Sequence, residues 1–245
     1  MPATSDWTGK HVLITGATGF IGGHLVRQLR DWGAQVHAGT SPNTESRLGS
    51  YPLAFDVRNP EAVKAAVEKA DPDVVFHLAA TGVTNPDVDP MLALTVNAGG
   101  TVNLLEALRE GDVERIVLVG TSHEYGAQEA IEGLDPFSPY AASKVAAWAY
   151  GRTYWRAYGL PVVTVRPFQV YGPGQPQAAL IPAAVSAALC GQDFPMTPGE
   201  QELDFVHVGD VVQGMAAAAE APGVEGKSLD LGTGVGRTLL NIVDR

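Results

Sequence analysis

Short apolar runs alternate with amphipathic segments along most of the chain. Each apolar run predicts a strand that is covered on both faces, and each amphipathic segment predicts a helix packed against those strands. This alternation predicts an α/β protein with a doubly wound parallel sheet and a ligand at the carboxyl ends of its strands. The predicted strands are 12–14, 35–39, 53–55, 73–80, 115–120 and 162–166, and the predicted helices between them include 60–70 and 91–109.

The first predicted strand leads into a glycine-rich turn and then into a helix. Gly16, Gly19 and Gly22 follow one another at spacings of three residues. In this spacing the first glycine permits a tight turn, the second lets backbone N–H groups approach a pyrophosphate, and the third lets the helix lie close to the strand. The positive end of the helix dipole faces the same anion. We therefore predict a dinucleotide-binding turn, with a plain glycine-rich connector as the alternative.

The alternation loosens after residue 171, where prolines interrupt the pattern. A helix near 178–190, a strand at 203–207, a helix at 209–221 and a strand at 228–231 are predicted there. We expect residues 1–171 to form the dinucleotide-binding domain and residues 172–245 to form mostly a substrate-binding lobe, with some elements returning to the core.

Composition restricts the kinds of partner. The 245 residues carry a net charge of −11, which would repel nucleic-acid phosphates and anionic lipids, so we expect neither as a partner. The N-terminal residues include Asp6 and lack the apolar core of a signal peptide, and no apolar run is long enough to span a bilayer, so we expect a cytoplasmic protein. Cys190 is the only cysteine, and neither a CxxC nor an HExxH motif is present, so no metal is expected.

The residues after the second and third strands bear on the choice of cofactor. An Asp or Glu after the second strand would bind a free ribose 2′-hydroxyl, but the chain has Thr40 and Ser41 there, with Arg47 a few residues later. Hydroxyl groups and a guanidinium suit a 2′-phosphate, so NADP is favoured over NAD, and an ordinary polar loop is the alternative. Asp56, followed by Val57, is expected to accept a hydrogen bond from the adenine amino group, unless it is only a turn residue.

Candidate catalytic groups follow the fifth strand. Thr121 begins the sequence TSHEYG, and Tyr140 and Lys144 lie four residues apart on one face of the next helix. A lysine beside an oxidised nicotinamide would lower the pKa of the tyrosine toward the working range of a general acid or base. The alternative is a surface Tyr/Lys pair. His77, inside the fourth strand, is expected to be a core histidine without a catalytic role.

Together these motifs resemble the extended short-chain dehydrogenases/reductases. More narrowly, the chain resembles the NAD-dependent epimerase/dehydratase family that acts on nucleotide-activated sugars. The resemblance covers essentially the whole chain and implies a Rossmann sheet with a small, partly irregular C-terminal substrate lobe. The motifs that carry it are the glycine triplet, Asp56-Val57, Leu78-Ala79-Ala80, Asn97, Thr121 with Tyr125-Gly126, Tyr140-x-x-x-Lys144, and Arg166-Pro167 followed by Tyr171-Gly172.

The resemblance also implies roles for individual residues. Tyr140 would exchange a proton with a sugar oxygen, Lys144 would tune Tyr140 and bind the nicotinamide ribose, and Thr121 would hydrogen-bond the same oxygen. The implied substrate contacts are Thr84, Ser122, His123 and Gln169. The implied cofactor contacts are Gly16, Thr18, Gly19, Phe20, Ile21, Gly22, Thr40, Ser41, Arg47, Asp56, Val57, Leu78, Ala79, Ala80, Asn97, Tyr140, Lys144 and Pro167.

Departures from the family pattern bear on the reaction. In sugar 4,6-dehydratases the catalytic threonine is followed by Asp-Glu or Ser-Glu, whereas Thr121 is followed by Ser122-His123, and Glu124 comes one residue late. We therefore favour an NADPH-dependent reductase that acts on a 4-keto-6-deoxyhexose of a nucleotide sugar. The alternatives are a nucleotide-sugar epimerase that retains NAD and a non-catalytic dinucleotide-binding module.

Two further departures lie in the predicted substrate lobe and near it. Gln169 stands where relatives usually have Asn, and Leu203 stands where they have an arginine that commonly holds the nucleotide pyrophosphate. The helices near 91–109 and 143–158 carry apolar residues beyond one face, and many relatives pair through these helices. We therefore also predict a homodimer.

Overall fold

The computed structural model describes residues 6–42, 51–85, 87–126 and 133–243. Its strands are β1 (His11–Thr15), β2 (Gln35–Thr40), β3 (Tyr51–Ala54), β4 (Val74–His77), β5 (Arg115–Val119), β6 (Val162–Pro167), β7 (Gln169–Tyr171), β8 (Glu202–Leu203), β9 (Phe205–His207), β10 (Ser228–Leu231) and β11 (Arg237–Thr238). Its helices are α1 (Phe20–Asp31), α2 (Pro60–Ala70), α3 (Pro90–Ala93), α4 (Gly100–Leu108), α5 (Pro139–Tyr158), α6 (Leu180–Cys190), α7 (Val208–Glu220) and α8 (Leu239–Val243). A π-helical turn spans Leu94–Gly99, and a 3-10 turn spans Ser122–Tyr125.

Seven parallel strands form the central sheet, in the order β10-β6-β5-β4-β1-β2-β3. The chain builds outward from β1 to β3 and then returns to the other side of β1 with β4. This reversal between β1 and β4 is the switch point at which such sheets open a crevice. In register, Thr15 pairs with Gly39 on one side and with His77 on the other. The residues that follow these strands therefore meet at one edge of the sheet.

Helices cover both faces of the sheet, as the alternating pattern predicts. On one face, α1 and α7 pack against strand residues such as Val12 and Ile14, with Leu25 and Met215 fully buried between them. On the other face, α2, α4 and α5 pack against residues such as Leu13 in a second core. The predicted doubly wound α/β fold is confirmed.

The predicted helix at 91–109 is present over Pro90–Leu108, with a π-helical turn in its middle. The segment runs through α3, the π-helical turn and α4, so its middle is wider than an α-helix. Asn97 lies in the π-helical turn and donates from Nδ2 to the carbonyl oxygen of Thr81 at 3.0 Å, while its Oδ1 accepts from the Thr81 N–H at 2.8 Å. A hydrophobic period predicts the helix but does not reveal the π-helical turn or such a side-chain bond to a distant loop.

The stretch Pro90–Leu108 is also long and apolar enough, by length and composition alone, to cross a membrane, and it is the one such stretch among the described residues. In the structure it packs against α2 and α5, and Leu104, Leu105 and Leu108 lie in the second core. It therefore has the packing of a core helix.

The predicted strands other than 203–207 are present, and their ends lie within three residues of the predicted limits, whereas β7 and β11 were not predicted. The predicted strand 203–207 is split at Asp204, whose carboxylate turns away to accept hydrogen bonds from the N–H groups of Thr233 and Gly234 at 3.0 and 2.8 Å. The fourth strand ends at His77, before the predicted limit at residue 80, because the Ala79 N–H leaves the sheet to donate to Thr15 Oγ1 at 3.1 Å. Residues 78–80 are thereby placed beside the glycine turn.

Candidate active site

The glycine turn between β1 and α1 has the geometry that the sequence predicts. Gly16 has a φ of +69°, and a Cβ at that position would lie 2.8 Å from the backbone nitrogen of Ala79. A Cβ at Gly22 would overlap the carbonyl oxygen of Gly16, so α1 approaches the turn too closely for any side chain there. Gly19 is the N-cap of α1, and a Cβ there would lie 3.2 Å from the carbonyl oxygen of Gly16. The turn is a cradle that only glycine permits, and it fits the pyrophosphate of a dinucleotide.

A cavity of about 810 Å³ runs along the carboxyl ends of the strands, in the upper part of the size range of ligand pockets. Of the predicted substrate contacts, Thr84, His123 and Gln169 line it, whereas Ser122 does not. Arg47 lies outside the described residues, and Asn97 is not in the cavity wall. The predicted cofactor contacts that do line it are Gly16, Thr18, Gly19, Phe20, Ile21, Gly22, Thr40, Ser41, Asp56, Val57, Leu78, Ala79, Ala80, Tyr140, Lys144 and Pro167.

Asn97 has a supporting position. It is buried, and in addition to its two bonds to Thr81 its Nδ2 donates to Ser143 Oγ at 2.8 Å. Ser143 Oγ in turn donates to the carbonyl oxygen of Tyr140 at 2.7 Å. The Asn97 amide therefore joins the loop after β4 to the helix that carries Tyr140. It does not line the cavity in which the cofactor is expected.

His77 is a core histidine, as predicted, and its bonds fix its protonation. Thr101 Oγ1 donates to the carbonyl oxygen of Asn97 at 2.6 Å, so it accepts from His77 Nε2 at 3.0 Å. His77 Nδ1 then accepts from Thr15 Oγ1 at 2.7 Å. Burial lowers the pKa of His77 to about 3, so the ring is neutral. This neutral ring connects the end of β1 to Thr101 in α4.

Arg58 lies in the cavity wall near the ends of β2 and β3, where the adenosine of the cofactor is expected, and it was not predicted from the sequence. Arg58 lines the cavity beside Asp56, and its Nη2 lies 2.6 Å from Asp56 Oδ2 while its Nε lies 3.0 Å from each carboxylate oxygen. This ion pair lowers the pKa of Asp56. Arg58 directly follows Asp56-Val57, and this position next to a predicted cofactor contact was the sequence feature that could have indicated it.

Tyr140, Lys144 and Thr121 meet at the other end of the cavity. The helix α5 begins after Ser138, whose Oγ accepts from the Ala141 N–H at 3.1 Å, and this cap places Tyr140 and Lys144 on the first two turns. Lys144 Nζ donates to the carbonyl oxygen of Val119 at 2.7 Å. All three candidate catalytic side chains are buried against the protein and line the cavity.

The two ionisable groups have strongly shifted pKa values. Burial raises the pKa of Tyr140 to about 12, opposed by a hydrogen bond with Thr121 and supported by the charge of Glu124. The direction is opposite to the lowering that the sequence analysis expects from Lys144 together with an oxidised nicotinamide. Burial lowers the pKa of Lys144 to about 8, opposed by the same Glu124 charge. Tyr140 is therefore a neutral phenol and a proton donor at neutral pH.

Glu124 does not face the cavity. It is fully buried, and its Oε2 lies 2.7 Å from Arg166 Nε in an ion pair, while its Oε1 accepts from the Thr121 N–H at 2.9 Å. A Cβ at Gly120 would overlap Glu124 Oε1, so the residue before Thr121 must be small. The carboxylate that comes one residue late in the sequence therefore holds the backbone of Thr121 in place.

Comparison with known proteins agrees with the motifs. The model of the NAD-dependent epimerase/dehydratase family matches residues 12–232. The chain is 35% identical to a UDP-glucose 4-epimerase of Mycolicibacterium smegmatis over 91% of this chain and 77% of the relative. It is 32% identical to a UDP-N-acetyl-alpha-D-glucosaminuronate decarboxylase of Bacillus cytotoxicus over 91% of this chain and 75% of that relative.

A solved structure gives the same result. The UDP-glucose 4-epimerase of Thermus thermophilus, in complex with NAD, superposes with a TM-score of 0.84 at 32% identity, covering 95% of this chain and 81% of that one. These relatives are enzymes, and the prediction of an enzyme of this type is confirmed. The chain belongs to the NAD-dependent epimerase/dehydratase family.

Proposed function

We propose that the protein reduces the keto group of a 4-keto-6-deoxyhexose carried on a nucleotide, with a nicotinamide dinucleotide as the hydride donor. The observation that carries the proposal is the meeting of Thr121, Tyr140 and Lys144 at a cavity end without a carboxylate. Among the described residues, Asp56 is the only carboxylate in the cavity wall. It follows β3, which lies four strand spacings, or about 19 Å, from the strand that precedes Thr121.

The cofactor, when bound, supplies the hydride. Tyr140 gives its phenolic proton to the keto oxygen, and Thr121 donates a second hydrogen bond to that oxygen. Lys144, whose Nζ lies 2.7 Å from the Val119 carbonyl oxygen in the same cavity wall, would bind the nicotinamide ribose and act on Tyr140 with its positive charge when the cofactor is bound. Burial raises the pKa of Tyr140, so that the phenol is protonated before the cofactor binds, as a proton donor for reduction must be.

Dehydration is not supported by this geometry. The residues at the two positions after Thr121 are Ser122 and His123, and Glu124 is held by Arg166. A 4,6-dehydratase needs an acid to remove the C6 hydroxyl and a base to remove the C5 proton. Among the residues that the structure describes, no carboxylate lines this end of the cavity to serve in either role.

An epimerase is the second candidate, because two of the similar proteins are named UDP-glucose 4-epimerases. An epimerase oxidises and re-reduces one carbon and so keeps its cofactor, whereas a reductase must exchange it at every turnover. The non-catalytic binding module is the least supported reading, since all three catalytic side chains are present.

We infer that NADP(H) binds more tightly than NAD(H) and that residues 172–245 serve mainly the substrate. Thr40 ends β2 and Ser41 follows it, so that strand ends without a carboxylate that would repel a 2′-phosphate, and the ion pair of Arg58 with Asp56 places a guanidinium in the same cavity wall. Residues of the predicted lobe such as Gln175, Leu180 and Phe205 line the same cavity. The similar structure from Thermus thermophilus is a complex with NAD, so the preference of this chain for NADP(H) is tested by titrating both cofactors.

The experiment has two arms. One sample of purified protein is denatured, and the cofactor that it releases is identified and measured. NADP(H) and NAD(H) are then each titrated into native protein by calorimetry. The protein is next incubated with a nucleotide-linked 4-keto-6-deoxyhexose and either NADPH or NADH, and with UDP-glucose alone. We expect oxidation of NADPH that depends on the keto sugar. Retained NAD together with conversion of UDP-glucose to its 4-epimer would instead establish the epimerase, and tighter binding of NAD(H) would refute the cofactor preference.

A further inference from the structure

Residues 172–176, which we call the strap, follow β7 and lead toward α6. Gln175 and Pro176 of the strap line the cavity, together with Phe20 and Ile21 from the first turn of α1. This helix begins directly after the glycine turn, where the cofactor pyrophosphate is expected. The strap and the start of α1 therefore border one space, and the proposed reduction gives the strap no part.

A side chain of α1 is bonded to the strap from outside the cavity wall. His24 Nε2 lies 2.7 Å from the carbonyl oxygen of Pro173, and because a carbonyl oxygen can only accept, the ring nitrogen carries the proton and donates it. The His24 ring also packs edge-on against the ring of Phe20, with the centroids 5.7 Å apart. Phe20 is the first residue of α1, so the bond to the strap lies about one helical turn from the glycine turn.

The base of the strap is tightly packed, whereas its tip is not. A Cβ at Gly172 would lie 2.6 Å from Val208 Cγ1, so the base of the strap is fixed against the start of α7. The Gln175 N–H donates to the Gly172 carbonyl oxygen at 3.2 Å and closes the turn. At the tip, Gly174 has a φ of +83°, and a Cβ there would meet no atom within 4 Å. A strap with this packing can swing about its base once the bond to His24 is broken.

We propose that the hydrogen bond from His24 to the Pro173 carbonyl oxygen is a latch, which holds the strap closed beside the bound cofactor and limits how fast the dinucleotide enters and leaves. This inference deepens the proposed function and rests on its cofactor, because a reductase must release the oxidised dinucleotide at every turnover. His24 acts through the strap and is a positioning residue.

A latch has a kinetic signature that a direct contact lacks. It slows entry and exit alike, so that its loss raises both rates and leaves the dissociation constant nearly the same. Loss of a direct contact to the cofactor instead raises mainly the dissociation rate and weakens affinity by the same factor. The two rates therefore have to be measured separately.

The test measures cofactor exchange without any sugar. NADPH is mixed with the protein in a stopped-flow instrument, and its association is followed by fluorescence. Bound NADPH is then displaced by excess NADP+ to give the dissociation rate, and NADH is used in a parallel series. His24→Phe keeps an aromatic ring against Phe20 and removes the donor, whereas Gly174→Ala disturbs the tip of the strap, because alanine disfavours a positive φ. The control is His11→Phe, the same change at the first residue of β1, at the end of that strand far from the glycine turn.

We expect His24→Phe and Gly174→Ala to raise the association and dissociation rates together, each by roughly 2- to 10-fold, as for loss of one hydrogen bond. The dissociation constant should stay close to that of the wild type, and His11→Phe should change neither rate. Unchanged rates in His24→Phe, or faster dissociation without faster association, would overturn the inference alone. Failure of the wild type to bind NADPH or NADH would remove the dinucleotide site and the latch with it. The expected rate changes in a protein that does not reduce the keto sugar would support the latch and refute the proposed function.

Discussion

Glu124 illustrates at the residue scale how the fold decides what a side chain does. By sequence it is the carboxylate closest to Thr121 on its C-terminal side, yet it is buried against Arg166 and supports the Thr121 backbone. Nothing in the spacing TSHEYG predicts this pairing, because Arg166 is 42 residues away and reaches Glu124 only through the alignment of β5 with β6.

The Glu124→Ala variant should therefore be strongly destabilised. It leaves the Arg166 guanidinium buried without its carboxylate, and loss of one partner of a buried ion pair costs about 3–5 kcal/mol in the free energy of unfolding. The matched control is Glu114→Ala, which breaks the half-exposed pair with Lys10 and should cost less than about 1 kcal/mol. Urea denaturation measures both, and equal losses would contradict the supporting role of Glu124.

Lys144 and Thr121 should differ in how their loss divides between binding and turnover. Lys144→Ala should weaken cofactor affinity and lower kcat together, because the same ammonium group binds the ribose and acts on Tyr140. Thr121→Val should lower kcat with little change in cofactor affinity, since it removes one hydrogen bond and keeps the shape. Calorimetric titration of cofactor and steady-state kinetics separate the two effects, and normal cofactor affinity in Lys144→Ala would refute the ribose contact.

At the scale of elements, α5 is the part whose placement matters most for the site. Its start at Ser138-Pro139 was predictable, because serine is a favoured N-cap and proline suits the first helical position. The positions of the strands in the central sheet were predictable to within three residues from continuous apolar runs. The π-helical turn at Leu94–Gly99 was not, because it depends on Asn97 reaching the backbone of Thr81.

The N-cap of α5 gives a prediction of its own. Ser138→Ala removes the acceptor for the Ala141 N–H and should lower the free energy of unfolding by about 1 kcal/mol. It should also lower kcat more than it changes cofactor affinity, because Tyr140 lies in the first turn. Ser138→Asp, which restores a capping oxygen, should recover both stability and turnover. Chemical denaturation with parallel kinetics checks this, and a Ser138→Asp variant as impaired as Ser138→Ala would contradict it.

At the scale of the whole molecule, the glycine turn and the Tyr/Lys pair could be placed from sequence because both depend on fixed local spacings. Two contacts could not be predicted from sequence: the ion pair of Arg58 with Asp56 and the hydrogen bond from Asn97 to Ser143. In each case several polar residues are possible partners, and only the folded structure determines which of them is close enough. The apolar residues beyond one face of the helices near 91–109 and 143–158 are exposed in the structure, and they include Met91, Leu94, Tyr150 and Tyr158.

We propose that these two helical surfaces pair in a homodimer. Light scattering at micromolar concentration should give a mass of twice 25.7 kDa. Leu94→Glu should shift the protein toward monomer because it places a charge in the apolar contact, whereas Leu189→Glu, on the exposed face of α6, should leave the mass unchanged. A monomeric wild-type protein would refute the dimer.

The proposed reduction depends on Tyr140 as the proton donor, and one substitution tests this role most directly. Tyr140→Phe removes only the phenolic oxygen, so kcat for reduction of the keto sugar should fall by roughly 10²–10⁴-fold, as expected for loss of a general acid. Cofactor affinity, measured by titration, should stay close to that of the wild type. Tyr158→Phe, the same change at the far end of α5 and outside the cavity, is the control and should keep full activity. Full reduction activity in Tyr140→Phe would contradict the assignment and would leave His123 as the next proton carrier to test.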